Sequence, residues 1–165
     1  VAKKRKPQKQ SPPEPTTQKS LISEQVGSVW KLLLPVVPVP ASRPRFSRWG
    51  SGVYYGKRYT AFRKICGEIL GSSEIPSEFP LEGPLAVSAV FMVPRPKTTK
   101  RTFPRGDVDN YFKTLDVLNE VVWLDDDQLV WANMSKEFGD CPGIRLEVSK
   151  VERIPTTRTL PQLWV

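Results

Sequence analysis

Five aspartates crowd into two short segments of an otherwise basic chain. Asp107 and Asp109 stand in the run Asp-Val-Asp-Asn-Tyr-Phe-Lys that ends at Lys113, and three more occupy positions 125–127. Carboxylates packed together repel one another, and a divalent cation held by their oxygens relieves that repulsion. A fold that brings both segments together creates a cation site. In a chain of net charge +8, such a site indicates a polyanionic substrate such as nucleic acid.

Positive and negative charges are concentrated in different parts of the chain. Residues 29–105 hold thirteen Lys or Arg against four Glu, whereas residues 106–165 hold six Lys or Arg against eleven Asp or Glu. This division favours a basic half that holds phosphates beside an acidic half that holds metal. A solvated surface with uneven charge is the simpler alternative.

The first 28 residues differ from the rest of the chain. They are rich in Pro and Lys, contain no aromatic residue and show no helix or strand period, which predicts a disordered basic tail over 1–28. The remainder is long enough to bury a core. We predict one domain over 29–153, followed by a C-terminal extension over 154–165.

The rare residue types exclude several classes of site. The chain has no histidine, which excludes Ser-His and Cys-His nucleophile pairs and zinc sites that contain histidine. Two distant cysteines, Cys66 and Cys141, fit a reducing compartment. No apolar run reaches transmembrane length, and since the first residues contain no apolar segment we expect no signal peptide. We therefore expect a cytoplasmic, nucleoid-associated protein that binds no membrane and has no small-molecule substrate.

Hydrophobic periodicity predicts a mixed α and β chain. Alternation predicts strands, and a capping residue ahead of an apolar stripe predicts a helix. The last two strands are expected to form a hairpin. The predicted strands are 30–39, 85–93, 129–136 and 144–151, and the predicted helices are 60–70 and 109–121.

The second predicted helix separates charge from apolar surface. At about 100° per residue, one stripe of this helix is charged and the opposite face is apolar. Asp109 and Lys113 are four positions apart, so they are close enough to share a site. The charged stripe consists of Asp109, Lys113, Asp116 and Glu120, and the apolar face consists of Tyr111, Leu115, Leu118 and Val122.

An Asp-x-Asp pair by itself is weak support for a metal site. Such pairs often cap helices or line turns, and enzymes that use sugar nucleotides also hold metals with them. An EF-hand loop is excluded, because its fifth and sixth positions would be Tyr111 and Phe112. A helix over 109–121 is about 20 Å long, so segment 125–127 must return to the helix start through the sheet. The sequence leaves open whether it does.

The order of these motifs resembles that of the RusA family of Holliday-junction resolvases. The likeness extends from about Lys31 to Val151 and is most specific over 107–119 and 123–128. There the patterns Asp-x-Asp-Asn-x-x-Lys and Asp-Asp-x-Gln are matched without a gap. Arg43-Pro-Arg45, Pro-Arg-Pro-Lys at 94–97, Lys136 and Pro142-Gly143 also belong to the likeness.

The resemblance implies a fold, a cofactor and a set of catalytic residues. The fold is a small α+β domain with a mixed sheet and two main helices, which forms a homodimer. The cofactor is Mg²⁺ or Mn²⁺, and the substrate is the four-way DNA junction. Asp107, Asp109 and Asp126 match the metal-binding aspartates, Lys113 matches the essential lysine, and Asp125 matches an acid of secondary role.

Basic residues in proline-stiffened loops flank the acidic segments. Singly, each is more often a solvated charge, but together they resemble a cradle for DNA. The candidate phosphate contacts are Arg43, Arg45, Arg48, Lys97, Lys100, Arg101 and Arg105.

Three other functions remain open at this stage. One is a nuclease of the same fold that prefers flaps, forks or replication intermediates. Another is a junction-binding protein in which the metal only holds the fold. The third, a sugar-nucleotide transferase, fits less well, because the chain is short and lacks a nucleotide-binding half.

Overall fold

The computed structural model describes residues 20–46 and 52–152, and these form an α+β domain around one mixed sheet. The mixed sheet and the two helices confirm the predicted fold class. The strands are β1 (Ile22–Val26), β2 (Val29–Leu34), β5 (Leu85–Val93), β6 (Leu129–Phe138) and β7 (Gly143–Lys150), in the order β1-β2-β7-β5-β6. A separate ribbon pairs β3 (Arg45–Phe46) with β4 (Val53–Tyr54), and the helices are α1 (Lys57–Gly71) and α2 (Val108–Phe112).

The predicted hairpin of the last two strands is wrong. β7 lies between β2 and β5 and is antiparallel to both, whereas β6 pairs in parallel with β5 at the edge of the sheet. Burial agrees with this order, because Ile144, Leu146 and Val148 of the central strand β7 are buried, whereas every residue of the edge strand β6 is exposed or half-buried. Alternation places a strand in a sheet but does not choose its neighbours.

Both helices cover the same face of the sheet. Phe62 and Cys66 of α1 are buried in one core with Phe91 of β5. The predicted apolar face of the second helical segment is confirmed, because Tyr111, Leu115, Leu118 and Val122 are all buried.

α1 begins three residues before the predicted Thr60. Its first residue is Lys57, and the backbone N–H of Gly56 donates to Ser42 Oγ at 3.0 Å. Thr60 lies inside the helix and donates its hydroxyl to the Gly56 carbonyl at 3.4 Å. The helix start is therefore anchored by a residue 14 positions earlier in the chain, a contact that no local pattern reveals.

The second predicted helix is shorter than expected. After one α-helical turn in α2, the chain continues as a 3₁₀ segment, Lys113–Leu118. The Thr114 hydroxyl donates to the Tyr111 carbonyl at 2.6 Å, and Glu120 has a φ of 63°. A residue in the left-handed region ends a helix, so the predicted extension to 121 is wrong.

The predicted tail is also too long. Strand β1 lies within 1–28 and pairs with β2, and Leu21 is buried. The side chains of β1 are mostly exposed, so backbone pairing holds this strand and its sequence gives little sign of it. Residues 1–19 and the predicted extension 154–165 lie outside the described residues.

The other strand boundaries are closer to prediction. β5 occupies Leu85–Val93 as predicted. β2 ends at Leu34 instead of continuing to residue 39, because Pro35 has no backbone N–H for the sheet. Within the described part of the chain, no helix is long and apolar enough to cross a membrane.

Candidate active site and nucleic-acid groove

Asp107 stands at the N-cap of α2 with an exposed carboxylate. Its side chain makes no capping hydrogen bond, so capping does not explain this aspartate. Asn110 Nδ2 donates to Asp107 Oδ2 at 3.4 Å, which orients the carboxylate. Asp107 is therefore held in place while its other oxygen is open to solvent.

The backbone just before Asp107 is tightly fixed. Gly106 has a φ of 90°, and a Cβ there would lie 3.2 Å from Pro40 Cγ and 3.3 Å from Tyr111 Cε2. Lys136 of β6 donates a short hydrogen bond to the Gly106 carbonyl, and the Tyr111 hydroxyl donates to the Arg105 carbonyl at 3.0 Å. This turn requires glycine and holds the start of α2 against the C-terminal part of β6.

Asp109 and Lys113 form the predicted pair on one face of the helical segment. Lys113 Nζ lies 3.0 Å from Asp109 Oδ2, and the two side chains are 63% and 58% exposed. The hydrogen bond from Lys113 holds the pKa of the Asp109 carboxyl below its usual range. Asp109 is therefore ionised at neutral pH, and both groups are accessible to a substrate.

Asp116 turns away from the predicted charged stripe towards α1. Its Oδ2 lies 3.2 Å from Arg63 Nη1, and Oδ1 is buried with no hydrogen-bond partner among the described residues. Burial raises the pKa of the Asp116 carboxyl. The predicted stripe is thus only partly formed, because the 3₁₀ segment rotates Asp116 away from its α-helical position.

The Asp-Asp-x-Gln motif includes a structural clamp at the start of β6. Asp125 caps the short 3₁₀ turn Asp126–Gln128, and its Oδ1 accepts the N–H of Asp127 at 3.4 Å. Gln128 Nε2 donates to the carbonyls of Leu81 and Gly83 at 3.1 Å and 2.9 Å. Asp125 and Gln128 therefore fix the turn, which leaves the Asp126 carboxylate exposed.

Asp126 sits in a negative environment. A hydrogen bond shared with Asp125, partial burial and the charges of Asp125 and Asp116 all raise the pKa of the Asp126 carboxyl. Among the described residues, Asp126 forms no ion pair that would offset this repulsion. A bound divalent cation would relieve it.

The predicted metal ligands are not gathered at one point of this chain. β6 advances roughly 23 Å from Leu129 to Lys136. Asp126 lies just before Leu129, at the start of β6. Lys136, near the other end of β6, bonds through its side chain to the carbonyl of Gly106, which directly precedes Asp107. Over 20–46 and 52–152, no group of three acidic or thiol side chains has the spacing to hold a metal. The assignment of these aspartates as ligands stays a prediction.

A basic groove begins beside the start of α2. It has a volume of about 440 Å³, and Gly106, Tyr111 and Phe138 are part of its wall. Prolines stiffen the two segments that form its sides, residues 37–40 and 93–106. Four arginines line it: Arg58, Arg95, Arg101 and Arg105.

Two of the predicted phosphate contacts, Arg101 and Arg105, line this groove. The loop between β5 and α2 carries four of the predicted contacts, all exposed, and Arg43 and Arg45 are exposed on the segment before β4. The N–H of Ala41 donates to the Asn110 carbonyl at 2.7 Å, which joins that segment to α2. The four on the loop are Lys97, Lys100, Arg101 and Arg105. Arg48 lies outside the described residues.

Sequence reasoning missed two arginines of the groove. Arg58 is at the start of α1 and faces the loop from the other side. Arg95 stacks on the Phe138 ring at 4.5 Å and donates to the Arg101 carbonyl at 3.0 Å. The Pro-Arg-Pro-Lys pattern contains Arg95, and Arg58 lies in a basic segment with interleaved tyrosines, Tyr54–Tyr59, but neither arginine was predicted as a phosphate contact.

A small α+β domain with an arginine-lined groove beside exposed carboxylates has the charge pattern of a nucleic-acid-binding protein. The family model described as "Endodeoxyribonuclease RusA" matches residues 35–149. The chain therefore belongs to the RusA endodeoxyribonuclease family, which confirms the resemblance, and it is a DNA-binding hydrolase of the Holliday-junction resolvase class. No curated protein matches the chain significantly. Strands β1 and β2 precede the matched residues.

Proposed function

We propose that this protein resolves four-way DNA junctions by Mg²⁺-dependent hydrolysis, as a homodimer with one active site for each of two strands. The observation that supports this proposal most directly is that Gly106 lines the arginine-rich groove and Asp107 is the next residue in the chain. A strand lying along the groove would thus bring a phosphate to the exposed carboxylates of Asp107 and Asp109. Phosphodiester hydrolysis requires positive side chains that hold the DNA backbone and, beside them, carboxylates that hold a cation.

The acidic residues suit Mg²⁺ in their chemistry, although one chain does not gather them. Mg²⁺ prefers carboxylate oxygens and retains several waters, so two or three aspartates suffice. Asp107 and Asp109 are exposed and Asp126 is repelled by its neighbours, and each would gain from a cation. Bound there, the cation would polarise the phosphate and lower the pKa of a bound water.

Lys113 is the proposed catalytic cation of the chain itself. Hydrolysis adds water across one phosphodiester bond: the water oxygen bonds to phosphorus, one P–O ester bond breaks, and a proton passes to the leaving oxygen. Negative charge grows on the phosphoryl oxygens as this happens. In the free protein Lys113 donates to Asp109 at 3.0 Å, and it is exposed enough to turn towards such an oxygen.

The symmetry of the substrate supports two active sites. A four-way junction is approximately two-fold symmetric, and its productive resolution needs two cuts on strands of like polarity. Two chains related by a two-fold axis provide them. Light scattering should therefore report a dimer, and a supercoiled cruciform plasmid should receive paired, nearly simultaneous nicks.

The direct test is a cleavage assay on defined DNA structures. A labelled synthetic four-way junction is incubated with and without Mg²⁺, beside duplex, flap and fork controls of the same sequence. We expect symmetrical cuts in the junction that require the metal. Preferred cutting of flaps or forks would assign another substrate, and tight junction binding without cleavage would indicate a non-catalytic protein.

A matched pair of lysine variants separates catalysis from ion pairing. Lys113→Ala should lower the cleavage rate by at least about 100-fold with the fold intact. Lys64 forms an exposed ion pair with Glu68 on α1, also at i and i+4, with an N–O distance of 3.8 Å. Lys64→Ala should leave the rate unchanged. If both variants cleave normally, Lys113 is only a surface partner of Asp109.

A further inference from the structure

We propose that the groove beside α2 seats one unpaired nucleotide of the DNA and that Arg95 reads its base. Arg95 selects a base that carries two adjacent hydrogen-bond acceptors, which is guanine or unpaired cytosine, over adenine and thymine. This inference rests on the proposed function, because it assumes that a DNA strand lies in the groove. It adds a residue that sets where along a strand the protein cuts.

The groove has an apolar wall as well as its four arginines. Prolines, Tyr111 and Phe138 contribute to this wall, and the volume of about 440 Å³ lies within the range of about 300–1,000 Å³ that is typical of small-molecule sites. Phosphate groups gain nothing from apolar surface, whereas the flat face of a base does. The wall therefore fits a base, while the arginines hold its sugar-phosphate. The prolines are Pro38, Pro40, Pro94, Pro96 and Pro104.

Only an unpaired base can enter this groove. In a duplex the bases are paired and stacked, and a protein that places a base in a pocket must first take it out of the stack. This costs least at the centre of a four-way junction, where the strands exchange and stacking is interrupted. The seated nucleotide therefore belongs to the branch point. Gly106 of the groove wall brings it beside Asp107.

Arg95 is held in one orientation, unlike the other arginines of the groove. Its Cζ lies 4.5 Å from the centre of the Phe138 ring, and its Nη1 donates to the Arg101 carbonyl at 3.0 Å. Arg101 itself stacks on Phe103 at 4.7 Å, but no hydrogen bond of its guanidinium is formed with the described residues. An arginine that is already fixed loses less conformational entropy when it binds, so Arg95 is preorganised for recognition.

The fixed guanidinium of Arg95 presents a pair of donors. Among the described residues only its Nη1 has a hydrogen-bond partner, so the edge formed by Nε and Nη2 is open. Two parallel N–H groups match two acceptors that stand side by side. Guanine offers O6 and N7, and cytosine offers O2 and N3 once it is unpaired, whereas adenine and thymine carry an N–H group beside their acceptors. A bidentate arginine contact discriminates between bases by about 5- to 150-fold in affinity.

A phosphate also accepts two hydrogen bonds from one arginine, so it competes for this edge. The surroundings of Arg95 favour the base. Pro94 and Pro96 flank Arg95 in the groove wall, and its guanidinium lies against Phe138, all of which are apolar. Arg105, in contrast, is exposed two residues before Asp107, where the scissile phosphate is proposed to lie. The arginines of one groove thus serve different parts of a nucleotide.

Titration with mononucleotides tests the groove without reference to cleavage. Isotope-labelled protein is titrated with dGMP, dCMP, dAMP and dTMP without Mg²⁺, and with deoxyribose 5-phosphate, which has no base. We expect dGMP or dCMP to shift the NMR resonances of the Arg95 guanidinium and the Tyr111 ring, and to bind at least about 5-fold more tightly than dAMP and dTMP. Arg95→Lys should remove this difference, because lysine keeps the charge but has no fork of donors. If guanine is the base, 7-deaza-dGMP, which lacks N7, should lose the advantage of dGMP.

Cleavage of matched junctions tests the same residue on DNA. Four synthetic junctions differ only in the base next to one labelled cut site. Wild-type protein should cut the junction with guanine or cytosine there at least about 5-fold faster than those with adenine or thymine. Arg95→Lys should cut all four at similar rates. Arg101→Lys is the matched control, because Arg101 also stacks on a phenylalanine, and it should keep the preference.

The possible failures are distinguishable. Mononucleotides that shift no groove resonance, or that all bind equally, would overturn the reading of a base. Binding of deoxyribose 5-phosphate as tight as that of dGMP and dCMP would show that the groove holds only phosphate. An Arg95→Lys variant that keeps the preference would overturn the role of Arg95. If wild-type protein cuts no DNA, the proposed function fails, and the mononucleotide titration still decides whether the groove reads a base.

Discussion

Replacing Gly106 by alanine should destabilise the protein and weaken the site. Gly106 has a φ of 90°, and an L-residue in left-handed backbone costs about 1–2 kcal/mol. The added Cβ would also press on Pro40 at 3.2 Å and on the Tyr111 ring at 3.3 Å, and such overpacking costs about 1–3 kcal/mol. We expect the free energy of unfolding, measured by urea denaturation, to fall by about 2–5 kcal/mol.

Two other glycines separate these contributions. Gly83 has a φ of 83° but nothing within 4 Å of an added Cβ, so Gly83→Ala should lose only the backbone part, about 1–2 kcal/mol. Gly67 is exposed within α1 and also has open space, so Gly67→Ala should stabilise by about 0.5–1 kcal/mol. Equal losses for Gly106→Ala and Gly83→Ala would refute the crowding argument. A Gly106→Ala variant as stable as wild type would refute the backbone argument too.

Three further outcomes follow from the site. Asp109→Asn should abolish cleavage while junction binding persists or tightens, because a charge that repels phosphate is lost. Gel-shift and cleavage assays on one preparation check this, and residual Mg²⁺-dependent cutting would exclude Asp109 as a metal ligand. The double variant Arg101→Ala and Arg105→Ala should bind all DNA more weakly and reduce the slope of the logarithm of the binding constant against the logarithm of the salt concentration by about 2. Titrations at several salt concentrations measure this slope. An unchanged slope would show that neither arginine contacts phosphate. Asp125→Asn should lower the raised pKa of Asp126, because it removes a negative charge and replaces the carboxyl that shares a proton with Asp126 by an amide that can donate to the ionised carboxylate. An NMR titration of the Asp126 carboxyl, and a shift of the acidic limb of the pH–rate profile to lower pH, would show this. An unmoved titration would exclude Asp125 as the cause.

The chemistry of the site was largely readable from local sequence. Asp109 and Lys113 are four positions apart, and this spacing alone brings their side chains within reach of each other. The observed 3.0 Å contact between Asp109 and Lys113 is the predicted one. Whether these residues serve catalysis stays a prediction.

Roles that depend on distant contacts were not readable. Lys136 is 30 residues from Gly106, and Ser42 is 14 residues from Gly56, yet these contacts fix the starts of α2 and α1. Arg58 became a groove residue only because α1 packs beside the loop before α2. A local sequence pattern does not show contacts between residues that are distant in the chain.

The sequence by itself determined the composition of the faces, and the tertiary structure decided which faces meet. Periodicity identified β5 and the apolar side of the helical segment, because burial of alternate or stacked side chains depends on positions close in the chain. The insertion of β7 between β2 and β5 depends on pairing with strands that are more than 50 residues away in the chain. That insertion leaves β6 at the edge, with Asp126 at one end and Asp107 near the other. The order of the strands in the sheet therefore sets the distance between the two acidic segments, and that order is known only from the tertiary structure.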